Sequence, residues 1–257
     1  MKPLTKQIIN EVIDYCGCFG LMLKESKVIK DYYKSVSAPI SLFPSNIPEP
    51  FFTHAISVQP LFNTLIEKMA RDHQMIHKVL KPFAETDPFP RRLLEVSSKF
   101  HASAHQQKYF LGIIRSDYML DSLKKKLLVV EYNTIASSFG VLSDKLNNLQ
   151  QYLFNKYPEI FPKNFSLSRL APPNNFIENA TAAFSKCIEL YRKTVNSDKE
   201  RDIYMAVIIQ EDERNVYDQK PLEIALFDKY KIKSMRISLK KVSENGKIDP
   251  STGILTM

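Results

Sequence analysis

The sequence predicts a mixed α/β (α+β) fold, in which a largely helical region contains a β-hairpin and is followed by the start of a βαβ unit. Three observations support this class. Long stretches before residue 110 have the apolar period of amphipathic helices, two apolar runs near residues 110 and 130 have the length of strands, and a strand, helix and strand pattern follows residue 202. Hydrophobic residues make up 44% and charged residues 25% of the 257 residues, which excludes disorder for most of the chain.

Amphipathic helices are predicted for much of the first 107 residues. A first helix covers residues 3–15 and ends where the Cys16-Gly17-Cys18-Phe19-Gly20 segment interrupts the period, and a proline-rich irregular stretch follows over 36–52. Residues 56–80 and 91–107 have the spacing of two further helices. The predicted inward residues of these two helices are Leu61, Phe62, Leu65, Ile66, Met69, Ile76, Leu80, Leu93, Leu94, Val96 and Phe100.

The apolar pattern then changes to that of strands. Residues 109–114 and 127–132 predict two buried strands, and Asp121-Ser122 suits a turn between them. Paired as a β-hairpin, the two strands bring Arg115 near Glu131.

The last part of the chain predicts a second, α/β domain. Helices at 141–155 and 174–195 and a polar linker at 196–202 precede this domain. Its expected elements are a strand at 203–210, a helix at 219–229, a strand at 235–239, and a strand, turn and strand at 247–256. We therefore predict one domain over residues 1–200 and an incomplete α/β domain over 201–257, because about 50 residues are few for a stable domain.

Charge and cysteine content exclude several classes of protein. The formal net charge of +8 favours anionic partners, but the basic residues are spread along the chain without a nucleic-acid-binding motif, so we expect a solvated basic surface and no nucleic acid. No apolar run approaches the ~20 residues that cross a bilayer and no secretory signal is evident, so no membrane association is expected. Three cysteines do not form a disulfide framework, which predicts a reducing compartment, most simply the cytoplasm.

The most informative segment, residues 130–140, places oxygen ligands on one face of a strand. Positions two apart point to the same side, so Glu131 and Asn133 present a carboxylate and an amide side by side. Both provide the hard oxygen donors that Mg²⁺ prefers, and Ser137 and Ser138 follow at the end of the strand, where they could hydrogen-bond a polar substrate. The alternative is an edge strand that runs into a polar turn.

Two further groups of polar residues have a substrate-binding and a structural interpretation each. Arg115 could clamp a carboxylate with its planar guanidinium, or form an ion pair with Asp117 or Glu131. In the segment 210–219, which follows a predicted strand, Glu213 could bind an ammonium, while Asn215 and Gln219 could bind amides or carboxylates. The alternative for this segment is a solvated helix start with acidic residues near the positive end of the helix dipole.

Other metal and nucleotide motifs are weak. The pairs His73/His77 and His101/His105 have a spacing found in zinc sites, but no glutamate follows the first histidine as zinc proteases require. No P-loop, G-x-G-x-x-G or G-x-S-x-G motif occurs, so a complete nucleotide site is not evident. We assign no catalytic residue from the sequence.

Three segments, read together and in order, resemble eukaryotic glutathione synthetase. They are Leu111-Gly112-Ile113-Ile114-Arg115-Ser116-Asp117-Tyr118-Met119, Val130-Glu131-Tyr132-Asn133-Thr134-Ile135-Ala136-Ser137-Ser138-Phe139-Gly140 and Gln210-Glu211-Asp212-Glu213-Arg214-Asn215-Val216-Tyr217-Asp218-Gln219. Weaker similarity at 41–45 and 55–59 extends the resemblance over nearly the whole chain.

The resemblance implies the N-terminal part of an ATP-grasp ligase whose body is followed by a substrate-binding domain. In that activity, ATP phosphorylates the cysteinyl carboxylate of γ-glutamylcysteine and the amine of glycine then displaces phosphate, while Mg²⁺ neutralises phosphate charge. The family is homodimeric and cytosolic.

The resemblance also implies residue roles. Glu131 resembles a Mg²⁺ ligand that also contacts ATP, and Asn133 a second metal ligand. The residues that resemble γ-glutamylcysteine contacts are Arg115, Ile135, Ala136, Ser137, Ser138, Glu213, Arg214, Asn215 and Gln219. Relatives often have serine at the position of Ala136, so one hydroxyl contact is missing here.

The resemblance covers only the first part of a family chain. The ATP-binding lysines, the glycine-rich lid and a further metal-binding glutamate are expected beyond Met257, so we expect little or no ligase activity and low stability from the 257 residues alone. One alternative is a catalytically silent short form that binds γ-glutamylcysteine or a full-length subunit. Another is a related ligase that uses an amino acid other than glycine.

Overall fold

The computed structural model describes residues 3–25, 34–103, 107–121, 123, 125–163, 172–195 and 202–257. Its helices are α1 (Pro3–Phe19), α2 (Glu49–Arg71), α3 (His73–Thr86), α4 (Pro88–His101), α5 (Gly140–Lys156), α6 (Phe176–Thr194), α7 (Val216–Tyr230) and α8 (Leu239–Asn245), with a 3-10 turn at Pro158–Ile160. Its strands are β1 (Met22–Lys24), β2 (Ser35–Ser37), β3 (Arg115–Asp121), β4 (Lys126–Asn133), β5 (Met205–Ile208), β6 (Ser234–Ile237), β7 (Lys247–Ile248) and β8 (Leu255–Thr256).

The chain folds into two compact units, each assembled from segments that are distant in the sequence. Unit 1 comprises Met1–Ser45, Ser138–Asp249 and Ile254–Met257, and unit 2 comprises Asn46–Ser137 and Pro250–Gly253. The predicted domain division between residues 200 and 201 follows different boundaries and stays a prediction.

The core of unit 1 lies between α1 and α5. Ile8, Val12 and Cys16 recur every four residues along α1 and are buried against Leu149 and Leu153 of α5. The predicted break at Cys16 is wrong, because Cys16 continues the buried stripe and the helix runs to Phe19.

A glycine ends α1. Gly20 has a φ of +70°, and Leu21 N donates to Cys16 O at 2.9 Å, which is the Schellman arrangement. The predicted interruption therefore lies four residues later than the sequence pattern indicated.

The predicted βαβ unit is confirmed in unit 1. β5 and β6 pair in parallel, with Met205 opposite Ser234, and α7 connects them. The predicted strand, turn and strand near the end is the antiparallel pair β7–β8. The predicted linker at 196–202 lies, except for residue 202, outside the described residues.

The helices of unit 2 differ from their predictions. The predicted helix at 56–80 is two helices, because Asp72 caps α3 by accepting a hydrogen bond from Met75 N at 2.9 Å. The helix predicted at 91–107 begins earlier, after Asp87, whose side chain accepts from Phe89 N at 2.8 Å, and it ends at His101.

Part of the predicted inward face of unit 2 is also wrong. Leu61 is 71% exposed and Val96 is 63% exposed. Leu65, Met69, Leu93 and Phe100 are exposed as well, whereas Phe62, Ile66, Ile76, Leu80 and Leu94 are half-buried. The reason is that Phe62 faces β4, where its ring lies 5.0 Å from that of Tyr132, so the contacting stripe is rotated around α2. None of the described residues of unit 2 is fully buried.

The β-hairpin of unit 2 is confirmed with a corrected first strand. Residues 107–114 form no strand, and β3 begins at Arg115. Asp121 lies opposite Lys126, so the strand that pairs with β4 is Arg115–Asp121, directly before the turn, and not the predicted run 109–114. Ser122, predicted in that turn, lies outside the described residues.

Within the described ranges, no helix is long and apolar enough to cross a membrane.

Candidate functional site

Four polar side chains lie on one face of the hairpin in unit 2. In the antiparallel register, Arg115 is opposite Asn133 and Asp117 is opposite Glu131. Residues opposite each other share a face, and residues two apart on one strand do too. The predicted juxtaposition of Glu131 and Asn133 is therefore confirmed, and the pairing adds Arg115 and Asp117 to the same face.

A β-bulge bounds this polar face. The register passes from the pair of Asp117 and Glu131 to the pair of Tyr118 and Val129, which leaves Val130 as the extra residue of β4. Beyond the bulge, the next pair on this face is Met119 opposite Leu128, so apolar side chains limit the polar face to the end of the hairpin near residues 115 and 133.

Helix α2 supports the opposite face of the hairpin. Ser116 Oγ donates to Gln59 Oε1 at 2.8 Å, and the ring of Tyr132 contacts Phe62. Ser116 and Tyr132 are themselves opposite each other in the register. The polar face is thus the side of the hairpin that points away from α2.

Hydrogen bonds join the four polar side chains. Arg115 donates to Asp117 through Nε at 2.8 Å and Nη2 at 3.1 Å, a bidentate ion pair. Asn133 Nδ2 lies 3.3 Å from Asp117 Oδ2 and 3.2 Å from Glu131 Oε1. The sequence predicted an ion pair of Arg115 with either Asp117 or Glu131. In the structure Arg115 donates hydrogen bonds to Asp117, while Glu131 interacts with Arg115 through its charge.

The ion pair shifts the pKa of both partners. The hydrogen bond from Arg115 holds the pKa of the Asp117 carboxyl below its usual value, and Asn133 adds to this effect. The same hydrogen bond raises the pKa of Arg115. The sequence indicates Asp117 only as a possible ion-pair partner of Arg115, although a position two residues after Arg115 in a strand also predicts that the two side chains share a face.

The oxygen donors of this face suit a cation that keeps part of its water shell. Mg²⁺ typically binds through one or two carboxylates and retains waters or phosphate oxygens. Glu131, Asp117 and the amide oxygen of Asn133 are of the right type, and Asn133 would have to turn its oxygen toward the ion. The described residues contain no group of three or more histidine, cysteine or acidic side chains that could hold a metal. This face therefore does not resemble a site in which protein ligands alone surround the ion.

The histidine pairs of the sequence do not form such a group either. The rings of His73 and His101 stack at 4.3 Å, and His77 lies 6.5 Å from His73. His105 lies outside the described residues.

The loop after β4 exposes one apolar side chain and fixes one hydroxyl. Ile135 is 88% exposed, and Ala136 has a left-handed φ of +52°. Ser137 Oγ lies 2.7 Å from Asn133 O and 2.9 Å from Ile113 O, so the single proton of its hydroxyl points to backbone carbonyls. Ser138 is half-buried and is the first residue of unit 1 after the hairpin.

In unit 1, the segment 213–219 forms the start of α7. Asn215 is the N-cap, and Glu213 Oε1 accepts a hydrogen bond from Asn215 N at 2.8 Å. Arg214 is exposed and donates from Nε to Lys24 O at 3.3 Å.

A buried ion pair orients Gln219, the last residue of this segment. Arg236 donates to Gln219 Oε1 at 2.7 Å and also to Glu223, which is buried and accepts hydrogen bonds from Lys220 and Ser234. Burial raises the pKa of Glu223, but the hydrogen bonds to Lys220, Arg236 and Ser234 outweigh burial and bring its pKa below the ordinary value.

Asp218 is a residue of this segment whose role the sequence did not indicate. It is 6% exposed, and its carboxylate accepts hydrogen bonds from Phe139 N at 2.7 Å, Val141 N at 3.0 Å and Leu142 N at 3.1 Å. It therefore caps α5 from a position 76 to 79 residues away, where Phe139, the N-cap residue, makes no side-chain cap. The sequence contained one signal for this role: phenylalanine at the N-cap position cannot accept a hydrogen bond, so another residue has to cap α5.

Comparison with known proteins assigns the family. A family model described as the ATP-binding domain of eukaryotic glutathione synthase matches residues 2–245. The chain belongs to the eukaryotic glutathione synthase family.

Named relatives agree with this family, and a solved structure has a similar fold. The chain is 31% identical over 261 residues to a glutathione synthetase of Dictyostelium discoideum, covering 98% of this chain and 53% of the relative. It is 30% identical over 251 residues to a chloroplastic glutathione synthetase of Solanum lycopersicum, covering 96% and 44%. A glutathione synthetase-like effector of Globodera pallida in its apo form has a TM-score of 0.73 at 16% identity, covering 100% of this chain and 55% of that one. The α/β fold class is thereby confirmed, and the chain spans about half the length of the curated relatives it matches.

Proposed function

We propose that this chain provides metal-binding and substrate-binding residues for glutathione synthesis, the ATP- and Mg²⁺-dependent ligation of γ-glutamylcysteine to glycine. The observation on which the proposal rests is the polar face of Arg115, Asp117, Glu131 and Asn133 in a chain of the glutathione synthase family. The ATP and glycine contacts and a homodimeric, cytoplasmic enzyme are further parts of this proposal.

Glu131 and Asn133 are the residues proposed to hold Mg²⁺. Both lie on the face of the hairpin that points away from α2, and their oxygens are hard donors. When bound, Mg²⁺ would neutralise charge on the phosphates of ATP. In the reaction, the cysteinyl carboxylate takes the terminal phosphoryl group of ATP, and the glycine amine then attacks that carbonyl as phosphate leaves.

Arg115 is proposed to bind a carboxylate of γ-glutamylcysteine. Its guanidinium already holds a carboxylate in two hydrogen bonds, that of Asp117, so its shape and hydrogen-bonding geometry suit this task. Binding would exchange Asp117 for the substrate, and Asn133 remains within hydrogen-bonding distance of the released carboxylate.

The start of α7 is proposed to bind the rest of the dipeptide. Glu213 would accept the substrate ammonium, and Asn215 and Gln219 would bind its amide and carboxylate groups. The bond from Arg236 occupies Gln219 Oε1, which leaves the amide nitrogen of Gln219 as the donor for a carboxylate. Arg214 and the loop residues Ile135, Ala136, Ser137 and Ser138 complete the proposed contacts.

A binding protein without ligase activity is the second candidate. Such a protein would bind γ-glutamylcysteine or a full-length subunit. A ligase that joins γ-glutamylcysteine to an amino acid other than glycine is a variant of the first candidate, glutathione synthesis.

The test measures substrate binding and phosphate release together. Binding of γ-glutamylcysteine to the chain is followed by calorimetry, and phosphate release is measured with ATP, Mg²⁺, γ-glutamylcysteine and glycine, with and without the C-terminal half of the Dictyostelium relative. Glu131→Gln is compared with Glu95→Gln, a change of an exposed carboxylate on α4.

Each outcome decides between the candidates. Glycine-dependent phosphate release that Glu131→Gln abolishes and Glu95→Gln preserves supports glutathione synthesis, and replacement of glycine by other amino acids tests the acceptor. Binding without release in either mixture supports the silent binding protein. If the chain shows no binding of γ-glutamylcysteine and neither mixture releases phosphate, the proposal is overturned.

A further inference from the structure

We propose that Asp218 is a positioning residue that holds together two segments of unit 1, 138–139 and 213–219, which contain the proposed substrate contacts Ser138, Asn215 and Gln219. The identity of the substrate rests on the proposed function, whereas the positioning itself rests on hydrogen bonds within unit 1. The relevant observation is that one buried carboxylate joins the beginnings of two helices.

The first helix is α5, whose beginning lacks a cap of its own. Phe139 cannot accept a hydrogen bond through its side chain, and it has a φ of +74° in the left-handed region. Asp218 replaces the missing cap by accepting from the backbone nitrogens of Phe139, Val141 and Leu142. Val141 and Leu142 are buried, so these two nitrogens lie away from solvent and need a partner within the protein, which the carboxylate provides.

The second helix is α7, in whose first turn Asp218 itself lies. Asp218 N donates to Asn215 O at 3.1 Å, and Asn215 Nδ2 lies 3.3 Å from Asp218 Oδ2. The carboxylate therefore contacts the proposed substrate ligand Asn215 on one side and the residue after Ser138 on the other. A shift of this carboxylate would move both.

A carboxylate suits this place better than an amide. Three backbone nitrogens and Asn215 Nδ2 donate to this carboxylate, so an asparagine would turn its own NH₂ group toward donors. The positive ends of the dipoles of α5 and α7 also favour a negative charge here. The left-handed Phe139 is a strained conformation that persists only where surrounding contacts enforce it.

The test compares Asp218→Asn with Glu11→Gln in the full chain. Glu11→Gln is the matched control, since Glu11 is an acidic residue of unit 1 with three hydrogen-bond partners that joins α1 to α5 without contacting either segment. Three readouts are taken: the urea midpoint, the rate of chymotryptic cleavage after the exposed Phe139, and the Kd for γ-glutamylcysteine.

Asp218→Asn is expected to speed cleavage after Phe139 and to raise the Kd, each by about tenfold or more, the equivalent of one lost charged hydrogen bond. Glu11→Gln is expected to lower the urea midpoint and to leave the other two readouts unchanged. Asp218→Glu, which keeps the charge, serves if Asp218→Asn does not fold, and it should show smaller changes of the same sign.

Unchanged cleavage and unchanged Kd in the Asp218 variants overturn the inference, as does an equal effect of Glu11→Gln on both. If the wild-type chain does not bind γ-glutamylcysteine, the substrate assignment fails with the proposed function, and the cleavage rate alone decides whether Asp218 positions the loop.

Discussion

At the scale of single residues, Gly140 shows how closely two elements of unit 1 approach. A Cβ at this position would lie 2.4 Å from ring atoms of Phe176, the first residue of α6. A methyl group cannot be accommodated at that distance without moving the ring or the beginning of α5. Glycine is therefore required by packing at the point where the loop after Ser138 enters the helix.

We predict that Gly140→Ala lowers the free energy of unfolding by about 1–3 kcal/mol, the usual cost of overpacking. Gly17→Ala is the matched control: Gly17 lies in α1 with no atom within 4 Å of an added Cβ, and removal of a helical glycine should raise the free energy of unfolding by about 0.5–1 kcal/mol. Urea denaturation of both variants measures the difference. Equal effects of the two substitutions would contradict the packing argument.

Arg115 supports a second prediction at the residue scale. Arg115→Lys keeps the charge but cannot form two parallel hydrogen bonds to one carboxylate. We expect the Kd for γ-glutamylcysteine to rise by about tenfold, measured by calorimetry. Arg92→Lys on α4, an exposed position, is the control and should bind as the wild type does. An unchanged Kd in Arg115→Lys would indicate that the bidentate pair with Asp117 is structural only.

At the scale of elements, one carboxylate adds a polar contact to the apolar core between α1 and α5. Glu11 accepts hydrogen bonds from Lys156, Tyr152 and Tyr157. These bonds, the one from Lys156 first, lower the pKa of Glu11 from 4.5 to about 2. Because the folded state prefers the ionised form, the contact is fully stabilised above the ordinary pKa and loses this contribution as protons bind.

We therefore predict that the stability of the chain falls between about pH 4.5 and pH 2, in part through Glu11. In Glu11→Gln, stability at pH 7 should be lower and its decrease over this range should be smaller than in the wild type. Urea midpoints at pH 7, 5 and 3 measure both effects. A parallel decrease in wild type and variant would show that Glu11 does not contribute.

At the scale of the whole molecule, the two units differ in how much they bury. The fully buried hydrophobic residues of the described chain all belong to unit 1, from Ile8 to Ile237. In unit 2, the two-stranded hairpin has no third strand among the described residues, and a pair of strands alone is marginally stable.

We predict that a fragment of residues 46–137 does not fold cooperatively on its own, because a unit without a buried core gains too little from apolar burial to offset the loss of chain entropy. Thermal unfolding followed by circular dichroism should give a broad transition for the fragment and a sharper one for the full chain. A cooperative, high-temperature transition of the fragment would contradict this prediction.

Local patterns in the sequence determined the elements and part of the proposed site. The four-residue period of α1, the strand, helix and strand order of β5, α7 and β6, and the shared face of Glu131 and Asn133 all follow from which way successive side chains point along one element. These properties depend on residues that are neighbours in the chain, so the sequence contains them directly.

Only the tertiary structure decided which residues meet across elements. The pairing with β4 sets the start of β3 at Arg115, whose guanidinium donates to Asp117. The contact of Phe62 with Tyr132 determines which side of α2 is covered. Asp218 caps a helix that begins 78 residues earlier in the chain. Hydrogen bonds and packing between distant residues depend on how elements are arranged in space, and no periodicity within a single element specifies that arrangement.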